Sequence, residues 1–230
     1  MVARGRSPFY EINPKAEQGA FMTQTEENSR RLLAEALTPQ FGETEAEKLA
    51  RIIHVALQSE NIYTDQIPLA EEDRHDLLLM AFEERILLPV RGRMTGSWED
   101  RALRFVADEM FFMPHLARIL FQNASQTGVL DPEGAVREVL SHHPAEHVEQ
   151  AVAFLREMTP HADSCMAEGG LMSAVAKKAG ITTDLHDIVD ACVVGGIMSP
   201  CTRGFATQGL AWYEFHPGLY WDTGLSANKD

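Results

Sequence analysis

The spacing of hydrophobic and polar positions along the chain predicts amphipathic helices that alternate with short strands. In residues 44–59, apolar side chains recur three and four positions apart, which places them on one face of a helix. Residues 27–37 and 73–84 are predicted to form two further helices. The apolar run at 86–90 predicts a strand, and residues 98–105 are predicted to form the strand that returns beside it.

The second half of the chain predicts a similar order of elements. It opens with Asp131-Pro132-Glu133, a typical helix start because it combines a capping aspartate, a proline at the first helical position and an acid in the first turn. The elements predicted after it are helices at 132–141, 145–158, 166–179 and 184–194, a strand at 197–199, a loop at 202–209 and a strand at 212–215.

A direct comparison within the chain favours a duplication. Residues 73–89 align without a gap with residues 184–200, at a fixed offset of 111 positions, and five of the 17 residue pairs are identical. His75 and His186 form one of the identical pairs, and most apolar positions also agree. A single long offset is typical of two similar domains rather than of a short-period repeat. We therefore expect both segments to fold as a helix followed by a strand.

The segment AKKAGITTD at 176–184, followed by an apolar helix and by GGIMS at 195–199, resembles the winged helix-turn-helix domain of bacterial regulators. In that family a first helix, a turn with glycine and isoleucine, a second helix and the first wing strand follow in this order. The resemblance extends over residues 166–215 and, less closely, over 44–105. Two such units in one acidic chain are also similar in architecture to adaptors of the segregation-and-condensation protein B type.

These observations predict a mainly α protein with small β-hairpins, of the α+β class, built from two tandem winged helix-turn-helix units joined by an apolar helix. The apolar run 105–121 is expected to supply that helix, kinked at Pro114 and buried between the units. The predicted parts are a flexible N-terminal arm at 1–22, a first unit at 23–105, a connecting helix and linker at 106–130, a second unit at 131–222 and a tail at 223–230. Met22 is an alternative start of the chain.

The charge of the chain disfavours a protein whose whole surface grips nucleic acid or anionic lipid. Its 20 basic and 34 acidic residues give a net charge of −14, and a strongly negative body is repelled by phosphate. No apolar run is long enough to span a membrane, and the first residues do not form a secretory signal. The three cysteines form no CxxC pair, which favours a reducing, cytoplasmic location.

A group of arginines in the first unit is the candidate contact site for DNA or for a protein partner. The group consists of Arg74, Arg85, Arg91, Arg93, Arg101 and Arg104. In a winged helix the recognition helix reads the major groove and the wing touches phosphate. The recognition helix predicted in the second unit, residues 184–194, has no lysine or arginine, so the first unit is the better candidate DNA reader. The alternative is that these arginines pair with the acidic surface around them.

Two smaller groups of residues are candidates for metal or thiol chemistry. His143 and His147 are four residues apart, as are His161 and Cys165, and together they could supply four ligands to a tetrahedral zinc ion. Cys201 lies where a strand enters a loop, with an arginine two residues further on, which makes it a candidate reactive thiol. The alternatives are surface histidines and cysteines that pack in the core.

The expected function is that of a non-catalytic, cytoplasmic regulatory or adaptor protein that uses the tandem winged-helix scaffold to bind a protein partner or a second copy of itself. The sequence contains no P-loop and no GxGxxG, GxSxG or HExxH motif, which favours a non-catalytic role. The first alternative is a DNA-binding transcriptional regulator that reads DNA through the first unit. The second alternative is a zinc-binding or thiol-dependent protein.

Overall fold

The computed structural model describes residues 24–91, 97–182, 184–201 and 211–221. The predicted N-terminal arm and the tail lie outside these residues. The described part contains eight α-helices and two three-stranded antiparallel sheets, so the predicted α+β class is confirmed. None of the helices in this part combines the length and the hydrophobicity that a membrane crossing requires.

The first half of the fold is built around an amphipathic helix, α2, whose apolar residues at three-and-four spacing are buried. Its elements are α1 (Gln24–Phe41), α2 (Glu43–Leu57), β1 (Asn61–Tyr63), a 3₁₀ helix (Thr64–Gln66), α3 (Glu71–Glu83), β2 (Leu88–Pro89) and β3 (Met110–Phe112). The strands form an antiparallel sheet in the order β1-β3-β2, in which Leu88 and Asn61 both lie opposite Phe112. The three helices predicted here are therefore present.

The second half begins with the helix that connects it to the first. Its elements are α4 (His115–Thr127), α5 (Pro132–Val139), α6 (Ala145–Met158), a 3₁₀ helix (Thr159–His161), β4 (Met166–Glu168), α7 (Gly169–Lys178), α8 (Leu185–Val194), β5 (Met198–Cys201), β6 (Trp212–Phe215) and a 3₁₀ helix (Pro217–Leu219). As predicted, Asp131 caps α5, because its carboxylate accepts a hydrogen bond from the Gly134 amide at 2.9 Å. The sheet has the order β4-β6-β5, so in both halves the third strand lies between the other two.

The returning strand predicted at 98–105 and the helix predicted from residue 106 are wrong. Residues 98–105 form no strand; β3 returns beside β2 instead, and α4 begins only at His115. Pro114 explains this boundary, because proline lacks the N–H that a helix interior needs but is well placed at a helix start. α4 then packs against α1 and α5, so both halves bury its apolar surface. The helix predicted from residue 166 also begins later, because its first three residues form β4.

Both segments of the aligned pair form a helix followed by a strand, as predicted: α3 with β2, and α8 with β5. The turn between helix and strand is also the same. The amides of Ile86 and Ile197 each donate to the carbonyl five residues earlier, at 2.8 and 2.9 Å. Arg85 and Gly196 each adopt a left-handed backbone, with φ of 56° and 65°. All of these pairs are 111 positions apart, so the similarity of the two segments extends to backbone hydrogen bonds.

A second correspondence, which was not found from the sequence, relates α2 to α6 at an offset of 102 positions. Each helix buries six residues, and the two sets coincide at this offset. The pairs are Ala46 and Val148, Leu49 and Ala151, Ala50 and Val152, Ile52 and Phe154, Ile53 and Leu155, and Ala56 and Met158. The same offset relates Phe112 in β3 to Glu214 in β6. Phe112 lies opposite Leu88, and Glu214 lies opposite Ser199, which is the residue that aligns with Leu88 at the offset of 111.

The two halves share one core and contact each other reciprocally. The turn after α3 meets the segment after β6, where the Arg85 carbonyl lies 3.1 Å from His216 Nε2. The turn after α8 meets the segment after β3, where a Cβ on Gly196 would lie 3.2 Å from the Pro114 Cβ. Arg85 and Gly196 are equivalent at the first offset, and Pro114 and His216 at the second. Each half therefore closes on the other through equivalent residues.

Candidate functional site

Three of the six candidate arginines are used inside the fold. Arg85 Nε donates to Glu214 Oε1 at 2.8 Å, and the two side chains are only 15% and 12% exposed. Arg101 and Arg74 each donate to a backbone carbonyl in their own half, at 2.7 and 2.8 Å. The Arg101 guanidinium also lies over the ring of Phe112. Of these contacts, only that of Arg85 follows the alternative in which the arginines pair with acidic groups of the protein, since Arg74 and Arg101 bind carbonyls.

The other three arginines have different surroundings. Arg91 and Arg104 are exposed, so their guanidinium groups are accessible to a ligand. Arg93 lies outside the described residues. The six arginines therefore do not form one continuous described surface, and Arg91 and Arg104 are the described candidates for contact with DNA or with a partner.

The two helices of the aligned segments, α3 and α8, have acidic exposed faces. The exposed residues of α3 are Glu71, Glu72, His75, Asp76, Leu79 and Glu83. The exposed residues of α8 are His186, Asp187, Asp190 and Val194. Neither set contains a lysine or an arginine. Because carboxylates repel phosphate, both faces suit a cationic or apolar surface better than a nucleic acid.

A cleft opens between α8 and the start of α6, on the surface of the second half. Its volume is about 440 Å³, and it is larger than a single water site by an order of magnitude. It is lined by Leu140, His142, His143, His147, Val148, Ala151, Asp187, Ile188, Asp190, Ala191 and Val194. Histidines therefore face aspartates across an apolar floor. The histidines at 142, 143 and 147 form one wall of the cleft and are close together in the sequence. The other wall, α8, is brought beside them only by the tertiary fold.

The structure does not bring the four predicted zinc ligands together. His143 and His147 line the cleft at the start of α6, whereas His161 and Cys165 follow the end of that helix. From His147 to the end of α6 at Met158 the helix axis extends for roughly 17 Å, at about 1.5 Å per residue, and His161 and Cys165 lie beyond that end. Among the residues that the structure describes, no three histidine, cysteine, aspartate or glutamate side chains are placed to hold one metal ion.

Two of the three cysteines are buried, and Cys165 is half-buried. Cys201, the candidate reactive thiol, is buried in β5, opposite Trp212. Burial raises the pKa of the Cys165 thiol to about 11 and that of Cys192 to about 12, and nearby Glu214 contributes to the first of these shifts. A reactive cysteine normally needs an accessible thiolate stabilised by positive charge. The core-packing alternative therefore describes Cys201 and Cys192 better.

A buried polar cluster joins the two halves around His216, whose side chain is fully buried. Its Nδ1 accepts a hydrogen bond from the Gly218 amide at 3.0 Å, so the proton of the neutral ring is on Nε2, which donates to the Arg85 carbonyl. Burial lowers the pKa of His216 to about 4. Trp98 and Trp221 pack edge-on against the ring. The imidazole is thus held neutral as a structural link between the halves.

Comparison with known proteins places the chain in a family without assigning it an activity. The model of an uncharacterised protein family matches residues 31–221, which is most of the chain, and the chain belongs to that family. Neither the curated proteins nor the solved structures contain a significant match.

Proposed function

We propose that the chain consists of two tandem winged helix-turn-helix units. In the second half, α7, the turn at Gly180-Ile181, α8 and β5 follow in the order expected of this domain, and β6 returns beside β5. In the first half, the 3₁₀ helix at 64–66 takes the place of the helix before α3. The identical strand orders and the two constant offsets support an origin of both units by duplication.

The proposed function is that of a non-catalytic, cytoplasmic regulatory or adaptor protein that binds another protein or a second copy of itself. The observation that carries this proposal is the charge on the exposed faces of α3 and α8. A winged helix that reads DNA places its recognition helix in the major groove, where duplex DNA has one phosphate charge per roughly 1.7 Å of axis. Carboxylates on that helix oppose such binding, whereas they complement a basic protein surface.

The second candidate function is a transcriptional regulator that reads DNA through the first unit. The exposure of Arg91 and Arg104 favours it, because both can reach a phosphate. The internal bonds of Arg74, Arg85 and Arg101 weigh against it, since these side chains would have to leave carbonyls or a carboxylate to bind DNA.

Fluorescence anisotropy with a labelled random duplex separates the two candidates. The adaptor proposal predicts no binding at physiological ionic strength, and no change in the Arg91→Ala/Arg104→Ala variant. The regulator alternative predicts micromolar binding that the double variant weakens, with a salt slope flatter by nearly two units. Lys177→Ala/Lys178→Ala is the matched control, because it removes the same charge from exposed positions of the other half. A salt-sensitive complex lost only in the arginine variant would overturn the adaptor proposal.

A further inference from the structure

The cleft between α6 and α8 combines an apolar floor with an exposed apolar residue at its rim. Its floor is apolar and contains the buried side chains of Leu140, Val148, Ala151 and Ile188. At its rim, Val194 is 81% exposed, the highest value among the large exposed hydrophobic residues of the described chain. An apolar floor with an apolar rim is typical of a site that another molecule covers.

The α8 wall of the cleft supplies negative charge. Asp187 and Asp190 are three residues apart on this helix, so both carboxylates lie on one face and both line the cleft. Asp190 is 3.5 Å from His186 Nδ1, a contact between two side chains that are mostly exposed. In the described residues, no lysine or arginine forms an ion pair with either aspartate, whereas Arg137 and Arg156 pair with glutamates elsewhere in this half.

The opposite wall is formed by imidazoles and adds no fixed carboxylate. The ring centroids of His142 and His143 are 4.1 Å apart, and His147 lies in the first turn of α6. Neutral imidazole offers a flat ring face and one nitrogen acceptor. A cationic group held by the aspartates would therefore meet ring faces and acceptors across the cleft.

The equivalent place in the first half keeps only one of the two aspartates, because Asp76 stands where the second half has Asp187. At the offset of 111, Leu79 stands where the second half has Asp190, and Glu83 stands where it has Val194. In that half α2 and α3 are already joined by an ion pair, because Lys48 Nζ lies 2.6 Å from Asp73 Oδ1. Within the described residues, the pair of aspartates beside an exposed valine is therefore found on α8 and not at the equivalent positions of α3.

We infer that this cleft binds a lysine or arginine side chain presented by a segment of a partner protein. The alkyl stem lies on the apolar floor, the charged head lies between Asp187 and Asp190, and an apolar neighbour in the same segment covers Val194. Long basic side chains commonly place their apolar stem on an apolar surface while their charged end stays in a polar environment. The inference rests on the proposed adaptor function and names the partner chemistry that this function uses.

A polypeptide segment fits the cleft better than a free polyamine does. A polyamine would satisfy the two aspartates, but its short methylene segments lie between charged nitrogens and provide no bulky apolar side chain to cover Val194. Two carboxylates on an apolar floor give both orientation and charge selectivity, since the charged head can pair at only one side of the cleft. Spermidine is therefore the appropriate competitor for the charge alone.

The test uses the whole chain, labelled with ¹⁵N, and a short helical peptide that carries one arginine between two leucines. Titration is expected to shift the amide resonances of Ala151, Asp190 and Ala191. The Asp187→Asn/Asp190→Asn variant is expected to bind the peptide about tenfold more weakly, because charge-assisted hydrogen bonds are lost. Glu71→Gln/Glu72→Gln is the matched control: it removes two exposed carboxylates from α3, and it should keep the affinity within about twofold.

Two peptide controls and the competitor complete the test. A peptide with glutamine in place of the arginine, and one with alanine in place of both leucines, should each bind more weakly than the parent peptide. Displacement of the peptide by an equal concentration of spermidine, equal losses in both double variants, or resonance shifts spread over the acidic surface would each overturn the inference. These results leave the adaptor function standing; only duplex binding at physiological ionic strength, measured separately, contradicts that function.

Discussion

Acidification should destabilise the protein through His216, the buried imidazole at the junction of the two halves. In the unfolded chain histidine takes up a proton below about pH 6.5. In the folded protein the ring is fully buried, and its pKa is lowered to about 4 by burial. Between these two values the unfolded state binds more protons than the folded state. Stability is therefore highest above pH 6.5 and is lost as the pH falls towards 4.

The structure sets the size of this effect. One proton is worth about 1.4 kcal/mol per pH unit, so the free energy of unfolding should fall by about 3 kcal/mol over this window. Protonation of the folded state would break a hydrogen bond, because Nδ1 already accepts one from the N–H of Gly218. Glu84 acts in the opposite sense near the lower end, since burial raises its pKa. A comparison of variants cancels that contribution.

Urea unfolding at a series of pH values, followed by tryptophan fluorescence, measures the effect. His216→Gln should be less stable than the parent at pH 7, because one buried hydrogen bond is lost, but its stability should depend less on pH. His161→Gln, which alters an exposed histidine, should keep the parental slope. If the parent and His216→Gln lose stability in parallel from pH 7 to 4, His216 does not carry the pH dependence and the reasoning fails.

Two further predictions concern the same junction. Gly196→Ala should lower the free energy of unfolding by more than Gly180→Ala. Both glycines have a left-handed φ, which costs about 1–2 kcal/mol for alanine. Only the alanine at 196 would also come close to Pro114 and the His115 amide. Thermal unfolding compares them, and equal losses would mean that the close contact between the halves does not matter. For Arg85 and Glu214, a double-mutant cycle in urea should give a favourable coupling energy of about 1–3 kcal/mol, since both groups are largely buried; a value near zero would make the pair no better than an exposed one.

The helices were predictable where their sequence has a clear period and an explicit start. α2 has apolar residues at three-and-four spacing, and α5 begins with a capping aspartate and a proline. The strand β3 was not predictable in this way, because every residue from Met110 to Met113 is apolar. An uninterrupted apolar run hides the alternation that distinguishes a strand from a helix, and Pro114 was the better guide to the boundary.

The site was less predictable than the fold because its contacts join distant parts of the chain. Arg85 could be recognised as a candidate, but its partner Glu214 is 129 residues away and enters only through the packing of the two halves. His143 and His147 were chosen for their spacing near a helix start, and both line the cleft, although His143 precedes α6. The acidic residues that line the same cleft are Asp187 and Asp190, and His161 and Cys165 do not line it. Local spacing identified one wall of the cleft; the tertiary fold supplied the other.

The central claim is that the exposed faces of α3 and α8 serve protein recognition and not DNA recognition. The most direct measurement is the salt dependence of anisotropy for a labelled random duplex mixed with the full chain. The adaptor proposal predicts an anisotropy that stays at the value of free duplex from low salt to physiological ionic strength. A complex that survives at physiological ionic strength, and weakens with the steep salt slope of several phosphate contacts, would contradict it.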